Sequence, residues 1–476
     1  MSDKGDPKLT LFDVTNLVVG AIIGADIYVA SSFGAAYLGP SSLLVWAAAG
    51  VVAIIIALCF AQCAAYLPRV GGPYAYAKEA WGIFPGFIVG WSLWLAEWIS
   101  LAVFPVAFLR YLSFFQPNID PVFQVLIKTL FVTFLILTNI LGVKAAGRTN
   151  DALTIIKLAP LILFVVAGVG YILLNPTTAV ENLTPFAPFG YTSFGFTLVL
   201  VFWAYAGFEI STIPADVVEN PGRVIPRAIV LGMTIVTVFY LATNFVLFAV
   251  RTSPQLATDL APLASATSSI LGTNSLLAIL GGLVVSVGAL ISVAGSDESG
   301  MIGTSRLGYA LAVDGLFPKI FAKIHPKYKT PYLAIIIQAA TALIASLIGN
   351  LGTLVAVSVF FLAIAYAATC ASILYFRRRD PEPAFRLKGG ILIPILGVIF
   401  SIYLITQCTT SQIAIGLILL GLGVPMYIVF TPKKELTILK EELIAPGALK
   451  EETMKLKERF LAHAISHLKE LFGHKE

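Results

Sequence analysis

Apolar residues run along this chain in long blocks, which short polar stretches interrupt at regular intervals. A block of roughly 20 apolar residues is long enough to cross a bilayer as a helix, whereas a membrane barrel would show short alternating strands. The pattern therefore predicts an all-α integral membrane protein with about twelve transmembrane helices. We place the spans at residues 12–38, 42–66, 84–113, 121–142, 152–174, 193–218, 227–249, 275–305, 331–349, 351–376, 390–408 and 411–431.

The character of the chain changes after Pro432. The remaining residues are dense in charge, and their apolar positions recur mostly at helical spacing. We interpret residues 1–431 as a transmembrane domain and residues 432–476 as a cytoplasmic amphipathic tail.

Composition and charge agree with a membrane protein. Hydrophobic residues make up 58% of the chain, charged residues 12%, and the mean hydropathy is +0.90. Apart from Lys157 within a span, the Lys and Arg residues on the side reached after odd-numbered spans are Arg110, Lys128 and Arg251. The positive-inside rule then predicts a multi-pass protein of the cytoplasmic membrane with both termini in the cytoplasm. The net charge of +5 reflects this topology and contact with membrane lipid, so we expect no nucleic-acid partner.

The sequence offers no constellation typical of an enzyme. It contains no HExxH, no GxSxG and no P-loop, its four cysteines lie in apolar spans, and its four histidines lie in loops or the tail. We therefore expect no enzyme activity, no metal, no cofactor and no disulfide framework.

A few charges lie inside the apolar spans. They are Asp26, Glu97, Lys157, Glu209 and the adjacent pair Asp297 and Glu298. A charge at the bilayer centre costs roughly 3 kcal/mol on the mildest scale, so it usually faces a cavity or a pathway. These positions mark the predicted working centre.

Two spans carry signs of an interrupted helix. In the first, Gly20 and Gly24 precede Asp26, and in the sixth, Gly207 precedes Glu209. Glycine disfavours the helix, and irregular backbone at membrane depth persists only beside a cavity or within protein. An alternative is that Gly20 and Gly24 form a GxxxG helix contact. Interruptions five spans apart favour a transporter binding site instead.

Three segments give the chain a family resemblance. Residues 20–29 (GAIIGADIYV), 202–229 (FWAYAGFEISTIPADVVENPGRVIPRAI) and 304–324 (TSRLGYALAVDGLFPKIFAKI) resemble the first helix, the sixth helix with its following loop, and the loop after the eighth helix of the amino acid–polyamine–organocation transporter superfamily. The resemblance implies two inverted five-helix repeats, at about 12–174 and 193–376, with discontinuous helices 1 and 6. Helices at about 390–431 would be peripheral.

The resemblance also implies where a substrate binds. Its carboxylate would lie against the backbone N–H groups of Gly24, Ala25 and Asp26. Its amine would lie near the sixth-helix break at Gly207, against the carbonyl groups of Ile22, Trp203, Ala204 and Ala206. Helix N-termini attract anions and helix C-termini attract cations, which agrees with this polarity.

Asp26 departs from the family pattern, which usually has GSG where this chain has Gly24-Ala25-Asp26. Two like charges about 4 Å apart repel by around 4 kcal/mol at an effective dielectric of 20. Asp26 is therefore protonated, or turned away, or opposite a ligand amine. Trp203 resembles the family's aromatic lid over the substrate; its alternative role is packing in the core.

Other charged positions have roles that the resemblance suggests. Glu97 falls on the stretch of helix 3 that lines the side-chain pocket, where a carboxylate suits an ammonium or a guanidinium. Glu298 is favoured over Asp297 to face the ligand. Lys157 falls where sodium-coupled relatives hold an ion, between helices 1, 5 and 8 near Ser292 or Ser296. Lys157 and Glu209 are the candidates for proton coupling, while Lys157 at a membrane interface, Glu209 as an organiser of unwound backbone, and buried structural pairs are the alternatives.

These observations predict a secondary transporter for a small-molecule amino acid or related amine, coupled to protons, with cationic substrates favoured. The alternatives are an amino acid or polyamine exchanger without net proton coupling, and a channel or sensor that does not transport.

Overall fold

The computed structural model describes residues 9–67, 71–141, 147–209, 218–272, 275–379 and 390–431, with the backbone alone over 147–156. The predicted tail at 432–476 and the end of the predicted sixth span lie outside these residues. The helices are α1 Leu11–Ile22, α2 Ala25–Tyr37, α3 Ser42–Tyr66, α4 Gly72–Trp81, α5 Ile83–Leu112, α6 Pro121–Leu141, α7 Gly147–Leu174, α8 Pro176–Asn182, α9 Phe194–Phe202, α10 Pro221–Val250, α11 Ser253–Thr258, α12 Pro262–Ile270, α13 Leu276–Val313, α14 Tyr332–Ile348, α15 Leu351–Arg379, α16 Leu392–Thr406, α17 Thr410–Gly421 and α18 Gly423–Phe430.

The prediction of an all-α membrane protein is confirmed. The described residues form no strand, and eight of their helical segments are long and apolar enough to cross a membrane. The bent pair α1 and α2 makes a ninth. Three shorter apolar helices, Phe194–Tyr205, Tyr332–Ile348 and Leu392–Thr406, coincide with the remaining predicted spans.

Two helices extend beyond their predicted ends. α13 continues to Val313, through ten residues that the sequence assigned to a loop. Leu307 and Leu311 are buried one turn apart, and a Cβ built on Gly308 would lie 3.2 Å from Trp94 and Phe321, so tertiary packing holds this extension helical. α10 begins at Pro221, because a proline in the first turn gives up no helical hydrogen bond.

The bundle has a buried centre and an exposed perimeter. The apolar window of α15 is 78% buried and that of α5 is 67% buried, whereas only 17% of the window of α6 is buried. Two central helices, α5 and α15, therefore carry the walls on which a site can be built.

A short surface helix is attached to the far end of α13. Lys78 Nζ lies 2.7 Å from Asp314 Oδ2, and Tyr74 on the same helix donates a hydrogen bond to that carboxylate. Burial, followed by the hydrogen bond to Asp314, raises the pKa of Tyr74 above its ordinary value. Tyr74 therefore remains a neutral donor, and α4 keeps a fixed position on α13.

Candidate functional site

The first span is broken at Ile23 and Gly24. α1 ends at Ile22, α2 begins at Ala25, and their axes differ by 44°. The start of α1 is closed by a capping box between Thr10 and Asp13, but no side chain caps the start of α2. The first N–H groups of a helix have no partner within the helix. The break therefore presents free backbone donors deep in the protein, beside Gly24 and Ala25.

The sixth span loses its regular helix at the corresponding place. α9 ends at Phe202, a 3-10 turn covers Trp203–Tyr205, Ala206 is extended, and Gly207 has a φ of +120°. A Cβ on Gly207 would lie 2.8 Å from the carbonyl oxygen of Ala21. Gly207 thus allows the two interruptions to contact each other, and a larger residue would hold them apart.

Some of the exposed carbonyl groups already have partners. The carbonyl of Ile22 accepts a hydrogen bond from the Tyr240 hydroxyl at 3.1 Å, and the carbonyl of Trp203 accepts one from the Ala206 N–H at 3.1 Å. Ala204 is fully buried. Of the four carbonyl groups that the sequence suggested for an amine, only that of Ala206 belongs to a residue that lines the cavity described next.

A small cavity of about 40 Å³ lies between the two breaks. Among the predicted site residues, six line it: Asp26, Glu97, Trp203, Ala206, Gly207 and Glu209. Six others do not: Ile22, Gly24, Ala25, Ala204, Lys157 and Glu298. A cavity of this volume holds one or two water molecules, which is less than an amino acid requires. The site must therefore widen to admit a substrate.

Residues that the sequence analysis did not select complete the cavity wall. They are Ala21, Ser100, Phe104, Ser299, Gly300 and Leu362, together with Ser296, which the sequence gave only as a neighbour of Lys157. Residues three and four apart on a helix share a face. The spacing Glu97, Ser100, Phe104 was a readable signal for the α5 wall.

Glu97 and Glu209 form a buried carboxyl pair on this wall. Their side chains are joined by a hydrogen bond, and Glu209 Oε2 also accepts from the Gly207 N–H and from the Tyr366 hydroxyl, each at 3.0 Å. A carboxylate cannot donate, so a hydrogen bond between two carboxyl groups requires a proton on one of them. The pair is suited to hold a proton beside the cavity.

Trp203 is tied to both central helices. Its Nε1 donates to Ser100 Oγ at 3.1 Å, and Ser100 Oγ lies 3.0 Å from Ser358 Oγ on α15. Ser358 donates in turn to the Ala96 carbonyl at 3.0 Å. The indole therefore closes the cavity with its ring held by α5.

Lys157 lies behind the cavity, buried where three helices meet. A Cβ on Gly295 would lie 2.9 Å from Lys157 Nζ, and a Cβ on Gly24 would lie 2.4 Å from Ser296 Oγ. α7, α13 and the first break thus converge at the position that the sequence suggested. The charge of Lys157 interacts first with Glu298 and then with Asp26.

The acidic residues of α13 face away from the cavity. The wall contributed by this helix consists of Ser296, Ser299 and Gly300, and successive residues of a helix point about 100° apart. Glu298 consequently lies on the side of Lys157 and not against a ligand. Asp297 is buried, and its Oδ1 has no hydrogen-bond partner among the described residues.

Comparison with known proteins extends over nearly the whole chain. The family model "Amino acid permease" matches residues 9–431. The branched-chain amino acid permease BcaP of Bacillus subtilis is 27% identical over 90% of this chain and 93% of its own length, and the serine/threonine exchanger SteT of the same organism is 29% identical over 88% and 95%. The human cystine/glutamate transporter is 27% identical over 89% of this chain and 85% of its own length.

The family match, the helical membrane architecture and the cavity between two interrupted spans agree with one another. The resemblance drawn from the sequence motifs is confirmed, and so is the prediction that the protein is a transporter and not an enzyme. The chain belongs to the amino acid permease family of the amino acid–polyamine–organocation superfamily, whose members carry amino acids across membranes.

Proposed function

We propose that this protein is a secondary active transporter of the cytoplasmic membrane that carries cationic amino acids or related amines. The observation that supports this substrate class is the charge of the cavity wall. Asp26, Glu97 and Glu209 line the cavity, and its lining includes no lysine, arginine or histidine among the described residues. A buried ammonium or guanidinium group gains from charge-assisted hydrogen bonds to such carboxyl groups.

The named relatives do not decide the substrate. Their names give branched-chain amino acids, serine and threonine, cystine and glutamate, and in one further Bacillus subtilis relative methylthioribose. The proposal therefore depends on the side chains of this chain alone. Asp26 lies on the cavity wall, which supports the choice in which the ligand presents an amine to it or Asp26 is protonated.

We further propose that transport is coupled to protons through Lys157, with the Glu97–Glu209 pair as a second proton-holding site. A charged lysine at the junction of α7, α13 and the first break attracts Asp26 and Glu298. Loss of its proton removes that attraction and loosens the contact of the first break with α13. Proton release would in this way favour one of the two access states.

The proposed movement follows the division of the cavity wall. Its residues come from the spans α1–α2 and α9 on one side, and from α5, α13 and α15 on the other. Alternating access would move the first, second, sixth and seventh spans against the third, fourth, eighth and ninth. We place both termini in the cytoplasm, as the distribution of Lys and Arg predicts.

Exchange without net proton movement is the second candidate, favoured by the exchanger among the relatives. Purified protein in liposomes separates the two. We expect labelled lysine, arginine or diamine to accumulate against its gradient when an inward proton gradient is imposed, in vesicles that contain no internal substrate. Uptake that requires internal substrate and ignores the proton gradient would establish exchange.

The same preparation tests the substrate class and the transport activity. Competition by neutral and acidic amino acids should be weaker than by cationic ones. Saturable counterflow distinguishes a carrier from a channel or a sensor, because neither of those concentrates label against preloaded substrate.

A further inference from the structure

A second cavity, of about 620 Å³, lies where the end of α5 meets the start of α6. It shares no lining residue with the cavity between the breaks. Its polar lining includes Arg110, Asp120, Gln124 and Lys128, and we call it the flank pocket. Its size suits a lipid headgroup or a small organic anion, and the proposed transport does not use it.

The flank pocket gathers positive charge on a side of the membrane where positive charge is scarce. Arg251, one of the three basic residues on that side, lies 3.6 Å from Asp259, with which it forms an ion pair. The other two, Arg110 and Lys128, both line the flank pocket. Their coincidence in one cavity is not explained by topology, since the positive-inside rule disfavours both of them.

The two cations retain donors for a ligand. Lys128 Nζ donates to the Ser346 carbonyl at 2.9 Å, and an ammonium group has two further N–H donors. Within the described residues, the Arg110 guanidinium takes part in no ion pair and donates no side-chain hydrogen bond. Asp120 Oδ1 is already occupied, because it accepts from the Val122 N–H at 2.8 Å. The pocket therefore carries a net positive charge and unused donors.

The pocket is continuous with an apolar, outward-facing surface. Val122, Leu126 and Leu130 of α6 are 75%, 47% and 60% exposed, on a helix that spans the membrane. Apolar side chains exposed on a membrane span face acyl chains. The basic residues lie near the end of this span, at the depth where headgroups begin.

We propose that Arg110 and Lys128 bind the phosphodiester group of an anionic phospholipid in the leaflet on this side. The guanidinium matches phosphate oxygens bidentately, and the ammonium adds a point charge. The acyl chains of the same lipid lie along the exposed face of α6. A free phosphate ester carries the same charged group without acyl chains, so the experiment includes both.

Native mass spectrometry of the purified full chain tests the proposal, with phosphatidylglycerol, phosphatidylcholine and soluble glycerol phosphate as probes. We expect retained phosphatidylglycerol, little phosphatidylcholine, and binding of phosphatidylglycerol about tenfold weaker in the double variant Arg110→Gln, Lys128→Gln. Arg251→Gln is the matched control, since it removes a cation from the same side outside the pocket and should leave lipid binding unchanged.

Equal binding of phosphatidylglycerol by the wild type and the double variant would overturn the proposal. Glycerol phosphate that binds as tightly as the lipid would overturn the lipid as the source. Should the double variant not fold, Arg110→Lys keeps the charge and loses the planar fork, and an unchanged lipid affinity in that variant would equally refute the role of Arg110.

Discussion

The indole Nε1 of Trp203 donates a hydrogen bond to Ser100 Oγ at 3.1 Å, which joins the interrupted sixth span to the intact helix α5 across the cavity. The two residues belong to the two groups of spans that the proposed movement separates. Their hydrogen bond must therefore break, or move with one partner, each time the cavity opens on that side.

Ser100→Ala removes the acceptor and should favour opening. A hydrogen bond of this kind contributes about 1 kcal/mol, which is about a fivefold change in the equilibrium between closed and open cavities. Trp203→Phe keeps a ring and loses the donor, so the double variant should cost little more than either single variant. Substrate affinity measured by uptake kinetics checks this double-mutant cycle. Ser92→Ala, on the same helix but hydrogen-bonded only to its own turn, is the control; additive effects of Ser100→Ala and Trp203→Phe would deny the coupling.

Gly207→Ala should abolish transport. Alanine at a φ of +120° is strained by about 1–3 kcal/mol, and its Cβ would meet the backbone of Ala21 at 2.8 Å. The contact partner is main chain and cannot rotate away. We expect lost uptake and a lower midpoint of thermal unfolding. Gly170→Ala, with no atom within 4 Å of the new Cβ, should be neutral or stabilising by about 0.5–1 kcal/mol, and equal behaviour of the two variants would contradict the assigned role of Gly207.

The sequence predicted the spans well because their length and apolarity are local properties. The predicted span 42–66 coincides with α3, and the break near Gly24 follows from two glycines and an acid in an apolar run. The end of α13 was predicted too early, since the packing of Gly308 against Trp94 and Phe321 is a tertiary contact that no local pattern reveals.

The cavity wall was predicted less completely, for a geometric reason. Charges within apolar runs identified Asp26, Glu97 and Glu209, but Ser100 and Ser299 are ordinary residues in apolar helices until the rotation of α5 and α13 is known. The preference for Glu298 over Asp297 required that rotation as well. Tyr366 donates to Glu209 from a distant part of the chain, and single-sequence reasoning has no signal for such a pair.

Glu97→Gln should weaken the binding of cations selectively. Glutamine keeps the volume and can still hydrogen-bond to Glu209, but it carries no negative charge. We expect lysine, arginine or diamine to bind about tenfold or more weakly, since charge-assisted hydrogen bonds contribute about 1.5–3 kcal/mol, while any neutral substrate is affected little. Competition against a labelled substrate measures both classes. Glu181→Gln, on the exposed helix α8, controls for loss of a carboxylate in general, and an equal loss for neutral ligands would refute the selectivity.

Lys157 should set the response to protons, and two substitutions test it from opposite sides of one contact. Lys157→Ala removes the titrating amine, so accumulation driven by a proton gradient should disappear while exchange of internal for external substrate persists. Gly295→Ala leaves the lysine in place, but its Cβ would lie 2.6 Å from Lys157 Cε and 2.9 Å from Nζ. The flexible end of the lysine must then move from its position beside α13, which should change the pH at which uptake is half-maximal. Gly421→Ala on α17, where a Cβ meets nothing within 4 Å, should leave that pH unchanged. Uptake measured across a series of external pH values provides the readout, and undiminished stimulation by protons in Lys157→Ala would remove Lys157 from the coupling mechanism.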